Sequence, residues 1–459
     1  MRMNKNENLS DLNRRDFLKG GSFATLMMMM GGVPLQADDQ SKPADGETKY
    51  KTDAPPLNCA VIGCGVWGRQ ILNTLATLPN APVVAVCDNY APFLRRAKEA
   101  APKAESYEDY RKVLEQKDVQ GVIVATPSHL HREIVIAALQ AGKHVYCEAP
   151  LAHTMEDARA IAQAAKAAYK VNFQSGLQMR SDPHRRFLLQ FIRSGSIGKT
   201  IKARAQWQKK QSWRRTSPNA DREKDINWRL RNETSPGLIG EIGIHQVDVA
   251  GWFIHARPVA VTGFGGVQQW SDGRDVPDTI QAVIEYPGGV HLSYEATLAN
   301  SFDGDYELLF GSDSAVMLRQ DKAWMFKEVD SPLLGWEVYA RKDEFYKETG
   351  IALVANASKP MLQENKPLTD APYSTTVLTN AMQAFIINSG IVAGGVEDFI
   401  GNFGDDAAKL RQHLVNEIKK GEHAASLQEG FEATVTVIKA NEAILKGQKL
   451  VFQKDWFEI

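Results

Sequence analysis

Between residues 57 and 175 the chain alternates short apolar runs with stretches whose apolar residues recur every three or four positions. The runs near 57–63, 82–88, 120–126, 143–148 and 171–175 are almost continuously apolar, as strands buried on both faces are. Helical spacing falls between them, near 66–78, 91–100, 108–115, 130–141 and 155–169. Ile71, Leu72, Leu75 and Leu78 mark the buried side of the first helix, and Thr154 followed by Asp157 resembles a capping box opening the last. Strand and helix in strict alternation predict a doubly wound parallel α/β sheet.

From about residue 180 the pattern changes. His184 to Ser194 has the spacing of a helix closed by Gly195. Strand-like runs follow at 199–209, 258–269, 278–286, 289–298, 305–311, 314–319 and 323–328. Short turns such as Pro287-Gly288-Gly289 and Gly311-Ser312-Asp313 join several of them, which suits a large, mostly antiparallel sheet. Helices predicted at 241–254, 375–393, 405–419 and 428–446 would cover one of its faces. The expected organisation is therefore an α/β unit over 57–178 followed by an α+β unit over 179–459.

The junction of the first strand and first helix carries chemistry. Gly63-Cys64-Gly65-Val66-Trp67-Gly68 follows the run Leu57–Ile62, and twenty residues past Gly68 the run Val83–Cys87 ends in Asp88. That is the order of a Rossmann dinucleotide site. The first glycine makes the tight turn, the second admits the pyrophosphate and the third packs helix on strand, while Val66 and Trp67 open a helix whose free N–H groups face phosphate. Asp88 is placed to accept hydrogen bonds from the adenosine ribose. Its charge would repel a 2′-phosphate, so NAD is favoured over NADP. Arg95 and Arg96 are close in sequence but fall inside the next helix, on its water side.

Composition narrows the partners. With 459 residues the chain has room for two or three domains; its net charge is -1, and charged residues, 24% of the total, are interspersed in sign. The absence of a basic patch argues against nucleic acid. Cys59, Cys64, Cys87 and Cys147 lie on or beside predicted strands without metal-ligand spacing, and read as buried thiols, with neither a metal site nor disulfides. Ahead of the fold, Arg14-Arg15 precede a mild apolar segment, Phe23 to Leu35, and Leu35-Gln36-Ala37 offers a cleavage site. Residues 1–37 thus read as a twin-arginine signal addressed to the Tat export machinery, with 38–56 a polar linker or arm. The apolar segment is too short to act as a stable membrane anchor. An exported, periplasmic protein finds no nicotinamide pool outside. At an on-rate near ~10⁶ M⁻¹s⁻¹ a nanomolar site empties in about a quarter of an hour, so the cofactor must be held more tightly or trapped under a lid.

Four further segments carry a resemblance: Ala125-Thr126-Pro127-Ser128-His129-Leu130-His131, Cys147-Glu148-Ala149-Pro150, Asn227-Trp228-Arg229-Leu230, and Glu241-Ile242-Gly243-Ile244-His245-Gln246-Val247-Asp248. With the glycine fingerprint, and from residue 57 to the end, the chain resembles the glucose–fructose oxidoreductase / inositol dehydrogenase / rhizopine-catabolism (Gfo/Idh/MocA) superfamily. The resemblance implies an NAD(P)-dependent oxidoreductase acting on a sugar or sugar derivative, assembled as a homodimer or homotetramer. It puts Thr126, Pro127 and His131 against the nicotinamide half, with Ser128 in place of the usual Asn; His131 is otherwise a helix-start histidine bonded to backbone. Glu148 takes the place of the glutamate that bonds nicotinamide ribose hydroxyls.

The sequence departs from the family pattern at two further positions. The lysine that handles the reacting hydroxyl's proton is replaced by Ala149, and the aspartate of an Asp-x-x-x-His pair by Glu241. Losing a positioned acid–base group costs about 10²–10⁴-fold, so His245 is the candidate proton acceptor. Glu241, four residues earlier on the same helix face, would orient it, unless the two make only a structural contact with Asp248 pairing locally. Arg180, Trp228 and Arg229 are the candidate substrate-binding residues, Arg180 being otherwise a surface arginine. Trp207, Trp213 and Trp252 are either further sugar platforms or core, and Lys209, Lys210, Arg214 and Arg215 either meet an anionic substrate or form a solvated loop. The missing lysine also leaves open a redox-neutral NAD-dependent glycosidase or lyase, and a non-catalytic nucleotide-bound sugar-binding protein.

Overall fold

In the computed structural model the described residues are 55–319, 322–333 and 375–459; the predicted export segment 1–37 and all but the last two residues of the 38–56 arm lie outside them. The first sheet has six parallel strands: β1 (Cys59–Ile62), β2 (Val83–Cys87), β3 (Glu105–Tyr107), β4 (Gly121–Val124), β5 (His144–Cys147) and β6 (Phe173–Ser175), ordered β3-β2-β1-β4-β5-β6. Strand β3 was not among the predicted ones. It is three residues long with Glu105 and Ser106 exposed at the sheet edge, so no apolar run announces it.

Alternation of side chains sorts each strand onto two cores. Cys59, Val61, Val86, Ile123 and Tyr146 face the helices Val66–Leu75 and Ala91–Ala100. Ala60, Ile62, Cys87, Val124 and Cys147 face His131–Gln140 and Met155–Ala167. The Thr154 hydroxyl caps the latter helix, accepting the Asp157 N–H at 3.2 Å.

The second sheet has eight strands: β7 (Thr200–Gln208), β8 (Ala260–Gly266), β9 (Thr279–Tyr286), β10 (Val290–Thr297), β11 (Asp305–Gly311), β12 (Ser314–Arg319), β13 (Lys322–Lys327) and β14 (Leu450–Val451). They run in the order β13-β12-β11-β7-β10-β9-β8-β14, antiparallel except for the parallel pair β7–β10. The β9–β10 turn holds Gly288 and Gly289 at φ 76° and 79°, a region glycine enters without steric cost. One face is packed by the helices Pro183–Phe191, Ile244–Ile254 and Leu427–Lys446.

Of the helices expected at 375–393 and 405–419 to cover that face, only Val377 among the described residues joins its core. Helix Thr375–Phe403 lies on the first sheet instead, where Leu378, Ala381, Met382, Phe385 and Ile386 join Ile71, Leu75 and Tyr146 in one core. Gln174 donates to the Ala381 carbonyl at 2.8 Å and Asn172 to the Ser389 hydroxyl at 3.1 Å. Helix Ala407–Ile418 packs back on it through Leu410 and Leu414. Leu427–Lys446 serves both sheets, since its Phe431 and Val435 belong to the first sheet's other core. An apolar stripe shows that a helix is buried but not which surface receives it. Among the described residues Val377–Phe403 is the helix long and apolar enough to cross a bilayer, and here that stripe is sealed against protein.

Phe385 is fully buried, with its ring centroid 5.9 Å from that of Tyr146. Phe385→Ala is expected to cost about 3–5 kcal/mol in urea unfolding. A loss below about 1 kcal/mol would show that this helix is not part of the first sheet's core.

Candidate active site

Strand order reverses between β1 and β4, and there, at the carboxyl ends of the strands, a cleft of about 570 Å³ opens between the two sheets. Its floor is the glycine turn. Gly63 sits at φ 94°, and a Cβ on it would lie 2.5 Å from the Ala125 carbonyl oxygen. A Cβ on Gly68 would lie 1.8 Å from the Gly63 carbonyl oxygen, so only glycine lets the helix approach the strand this closely. At Gly65 the nearest atom to such a Cβ is Phe93 Cε2 at 4.0 Å, leaving bare backbone toward the cleft. The helix that follows begins without a side-chain cap, which leaves its N–H groups for a phosphate. The site therefore fits a dinucleotide.

Asp88 lines the next part of the cleft and accepts the Cys64 N–H at 2.7 Å and the Tyr90 N–H at 2.8 Å. Burial raises its carboxyl, opposed by those two donors and by Arg222 and Arg69. Arg222 belongs to the segment after β7 and reaches across from the second unit. Its guanidinium donates to the Asn89 carbonyl at 3.2 Å and side-chain oxygen at 3.0 Å, and lies 5.0 Å from the Tyr90 ring centroid.

At the other end the cleft is lined by Thr126, Pro127, Glu148 and Ala149. The buried Thr126 hydroxyl has no hydrogen-bond partner among the described residues, as a ligand-facing group would have none. His131 also borders the cleft, but its ring is clamped: Nδ1 lies 3.1 Å from the Pro150 carbonyl and 3.2 Å from that of Leu151, and Nε2 2.9 Å from that of Thr126. Burial lowers its pKa to about 4, opposed by those carbonyls. Since a neutral ring donates from only one nitrogen, it bonds to the loop after β4 or to the turn after β5, one at a time, while packing against both. Glu148 takes hydrogen bonds from the Trp67 indole, the Gln178 amide, the Ala149 N–H and Tyr146, while burial pushes its carboxyl up to about 7. The Ala149–Pro150 peptide beside it is cis.

The facing wall comes from the second unit. A π-turn, Ile239–Gly243, runs into helix Ile244–Ile254, and irregular turns of this kind recur at functional sites. Glu241 and His245 are both buried there and both line the cleft. Glu241 Oε1 accepts from Ser128 at 3.0 Å and from Ser235 at 3.2 Å, and Oε2 lies 3.5 Å from Arg229 Nε. Sequence reasoning looked to Glu241 to orient the imidazole; the structure gives it Arg229 to hold. Burial raises the Glu241 carboxyl, with Arg229 and the serines opposing, and burial lowers His245 to about 3. Arg229 lies 5.5 Å from the Trp213 ring centroid and 5.2 Å from that of Trp228, and all three line the cleft. Trp213 has φ 62°, a left-handed conformation costing a bulky residue about 1–2 kcal/mol.

Arg180 is the predicted substrate-binding residue that does not reach this cleft. Its guanidinium pairs with Asp248, Nε to Oδ2 at 2.9 Å and Nη2 to Oδ1 at 2.8 Å, and with Glu429. It borders a separate pocket of about 420 Å³ with Trp252. The reason is that buried Asp248 needs a cation: burial works against the charge of Arg180, and Asp248 and Glu429 more than offset it. Trp207 is core. Of the basic cluster, Arg215 alone lines the cleft; Arg214 pairs with Glu223 and donates to the Asp272 carbonyl at 2.8 Å. Sequence reasoning missed Arg222, Tyr90 and Ser235, which meet their partners only in the folded chain.

Residues 57–176 match the family described as oxidoreductase family, NAD-binding Rossmann fold, and residues 186–315 match the GFO/IDH/MocA C-terminal domain. Levoglucosan dehydrogenase of Pseudarthrobacter phenanthrenivorans is 30% identical over 272 residues, covering 52% of this chain and 67% of the relative. Inositol 2-dehydrogenase of Salmonella typhimurium is 31% identical over 201 residues, 43% of this chain and 55% of the relative, so the match spans little more than half of that enzyme. In three dimensions an oxidoreductase domain protein from Kribbella flavida aligns with a TM-score of 0.64 at 20% identity, over 87% of this chain and 100% of that one, a likeness of fold. With both domains matched in order around a cleft that suits a dinucleotide, the chain belongs to the Gfo/Idh/MocA family of oxidoreductases, and its cofactor is NAD.

Proposed function

We propose that this protein is an exported enzyme that moves hydride between a carbinol carbon of a sugar or sugar derivative and an NAD retained between turnovers. The observation that carries the reading is the cleft itself. His245, Arg229 and Trp228 line the wall opposite Glu148 and Ala149, which stand at the carboxyl edge of the first sheet. Relatives named for dehydrogenation of levoglucosan and inositol support a polyhydroxylated substrate.

NAD, cradled by the Gly63–Gly68 turn, Asp88 and Glu148, supplies the hydride acceptor. The proton is this chain's task. Burial keeps His245 neutral, the form that accepts a proton from a substrate hydroxyl. The same burial makes the imidazolium costly and the resting imidazole a weak base, so the transfer depends on a nearby charge that steadies the reacting oxygen. Arg229 does not replace the missing lysine as a base, because a guanidinium keeps its proton at any working pH. It opposes negative charge on the reacting oxygen, and Glu241 sets its direction. Retention is supported by Arg222, whose bonds to Asn89 close the cleft beside Asp88. Export is supported by Arg14-Arg15 and the apolar stretch after them.

Denaturing the purified mature protein should release NAD in near-stoichiometric amount by mass spectrometry. His245→Ala should retain that nucleotide and lose about 10²–10⁴-fold in hydride exchange with a panel of labelled sugars; undiminished exchange would remove His245 from the mechanism. Because burial raises Glu241, its protonation begins above the usual carboxylate range, and Arg229 then loses its counter-charge. Activity is therefore expected to be full above that raised value and to fall as pH drops through it. Glu148, pushed up to about 7, adds an acid limb of its own, so Glu241→Gln should remove one component of the pH–rate profile, and a profile that superimposes on the wild type would refute the coupling. Replacing Arg14 and Arg15 by Lys should leave the protein in the cytoplasm on cell fractionation, and continued export would defeat the twin-arginine reading.

A further inference from the structure

Trp213 sits on the segment between β7 and Glu223 that crosses the cleft, and it is one of three described non-glycine residues with positive φ. A strained backbone persists only where its surroundings hold it. Here they do so on every side. Gln211 donates to the Leu298 carbonyl at 3.0 Å and the Arg215 N–H to Asn227 Oδ1 at 2.8 Å. Between them the Ser212 hydroxyl accepts the Arg214 N–H at 3.1 Å and donates to Asp272 at 3.2 Å. The indole packs on the edge of the second sheet's core, yet it stays only partly buried and borders the cleft. Core packing alone would be met by any apolar side chain at an ordinary φ; what the strain secures is an indole at this wall.

Its position along the wall says what it meets. Glu241 holds Arg229, the Arg229 guanidinium lies 5.5 Å from the Trp213 ring centroid, and all three line the cleft that His245 also borders. A sugar ring seated before His245 shares its cleft with this indole, which is large enough to meet a substituent that the reacting ring carries. Resting on the carbohydrate reading above, we propose that Trp213 forms a second subsite, which stacks a ring joined to the reacting sugar through its glycosidic oxygen. The preferred substrate is then a glycoside and not a free monosaccharide. A flat apolar face is common to a second pyranose and to an aryl aglycone, and an indole accepts either.

The test is calorimetric titration of the NAD-loaded full chain with methyl and phenyl β-glycosides of glucose, galactose and xylose, and with cellobiose, lactose and xylobiose. For the sugar that binds, the phenyl glycoside or the disaccharide should bind roughly tenfold more tightly than the methyl glycoside. A gain for the phenyl compound assigns the subsite to an aryl aglycone, and a gain for the disaccharide to a second sugar. Trp213→Ala should bring the ratio close to one, and Trp213→Phe should keep part of it. Trp213→Gly serves as the variant that folds without strain, since glycine adopts this φ freely, and it too should lose the ratio. Equal affinities in the wild type, or a gain surviving both Trp213→Ala and Trp213→Gly, overturns the subsite. Absence of binding by every sugar while NAD stays bound overturns the carbohydrate reading and the subsite with it.

Discussion

A carboxylate sealed between two sheets must be met by donors, and at Glu241 these come from three places in the chain. Ser128 stands on the loop after β4, Ser235 precedes the π-turn, and Arg229 comes from the segment that crosses the cleft. An unpaired ion at this depth would cost several kcal/mol, and the three contacts together offset that cost. The Ser128 bond ties the first sheet's loop to the second unit. The Arg229 contact turns a cation toward the cleft, and His245 follows one helical turn on. A single buried charge thus couples the seating of the two units to the arrangement of the groups that act on substrate.

The same charge bears on the loss of the family's lysine at Ala149. A lysine brings both a positive charge and a removable proton. In the proposed mechanism the two are divided: Arg229 keeps charge without giving up its proton, and His245, neutral at rest, takes the proton. Trp213 and Trp228 both lie beside the guanidinium, with ring centroids 5.5 and 5.2 Å away, and their π faces favour its charge. Such an arrangement tolerates little drift, which agrees with walls built from packed helix and braced loop.

At the opposite end of the cleft the constraint is kinetic. Arg222 and Asn89 lie 133 positions apart and are joined by two hydrogen bonds. Any dinucleotide leaving past Asp88 has to displace this contact or pass around it. If the protein is exported as proposed, slow release serves it better than fast exchange.

Much of the fold was legible before any coordinates. Apolar runs and helical spacing predicted the strands of both sheets apart from β3 and β14, which are too short and too exposed to carry a pattern. The glycine fingerprint was legible for a steric reason, since Gly63 and Gly68 stand where a Cβ would strike backbone. The candidate residues His245, Glu241, Arg229 and Trp228 do share one cleft, because the motifs that carry them lie on elements converging on the strand ends. Arg180 does not, because a buried Asp248 claims it. What the sequence by itself determined was local: which segments pair, which coil, and where the chain must be bare of side chains. The tertiary structure alone decided that helix Thr375–Phe403 completes the first sheet, that Glu241 serves Arg229, and that Trp213 faces the cleft. Each of those depends on a partner far along the chain, and neither an apolar stripe nor a lone charge says which surface or counter-charge it will meet.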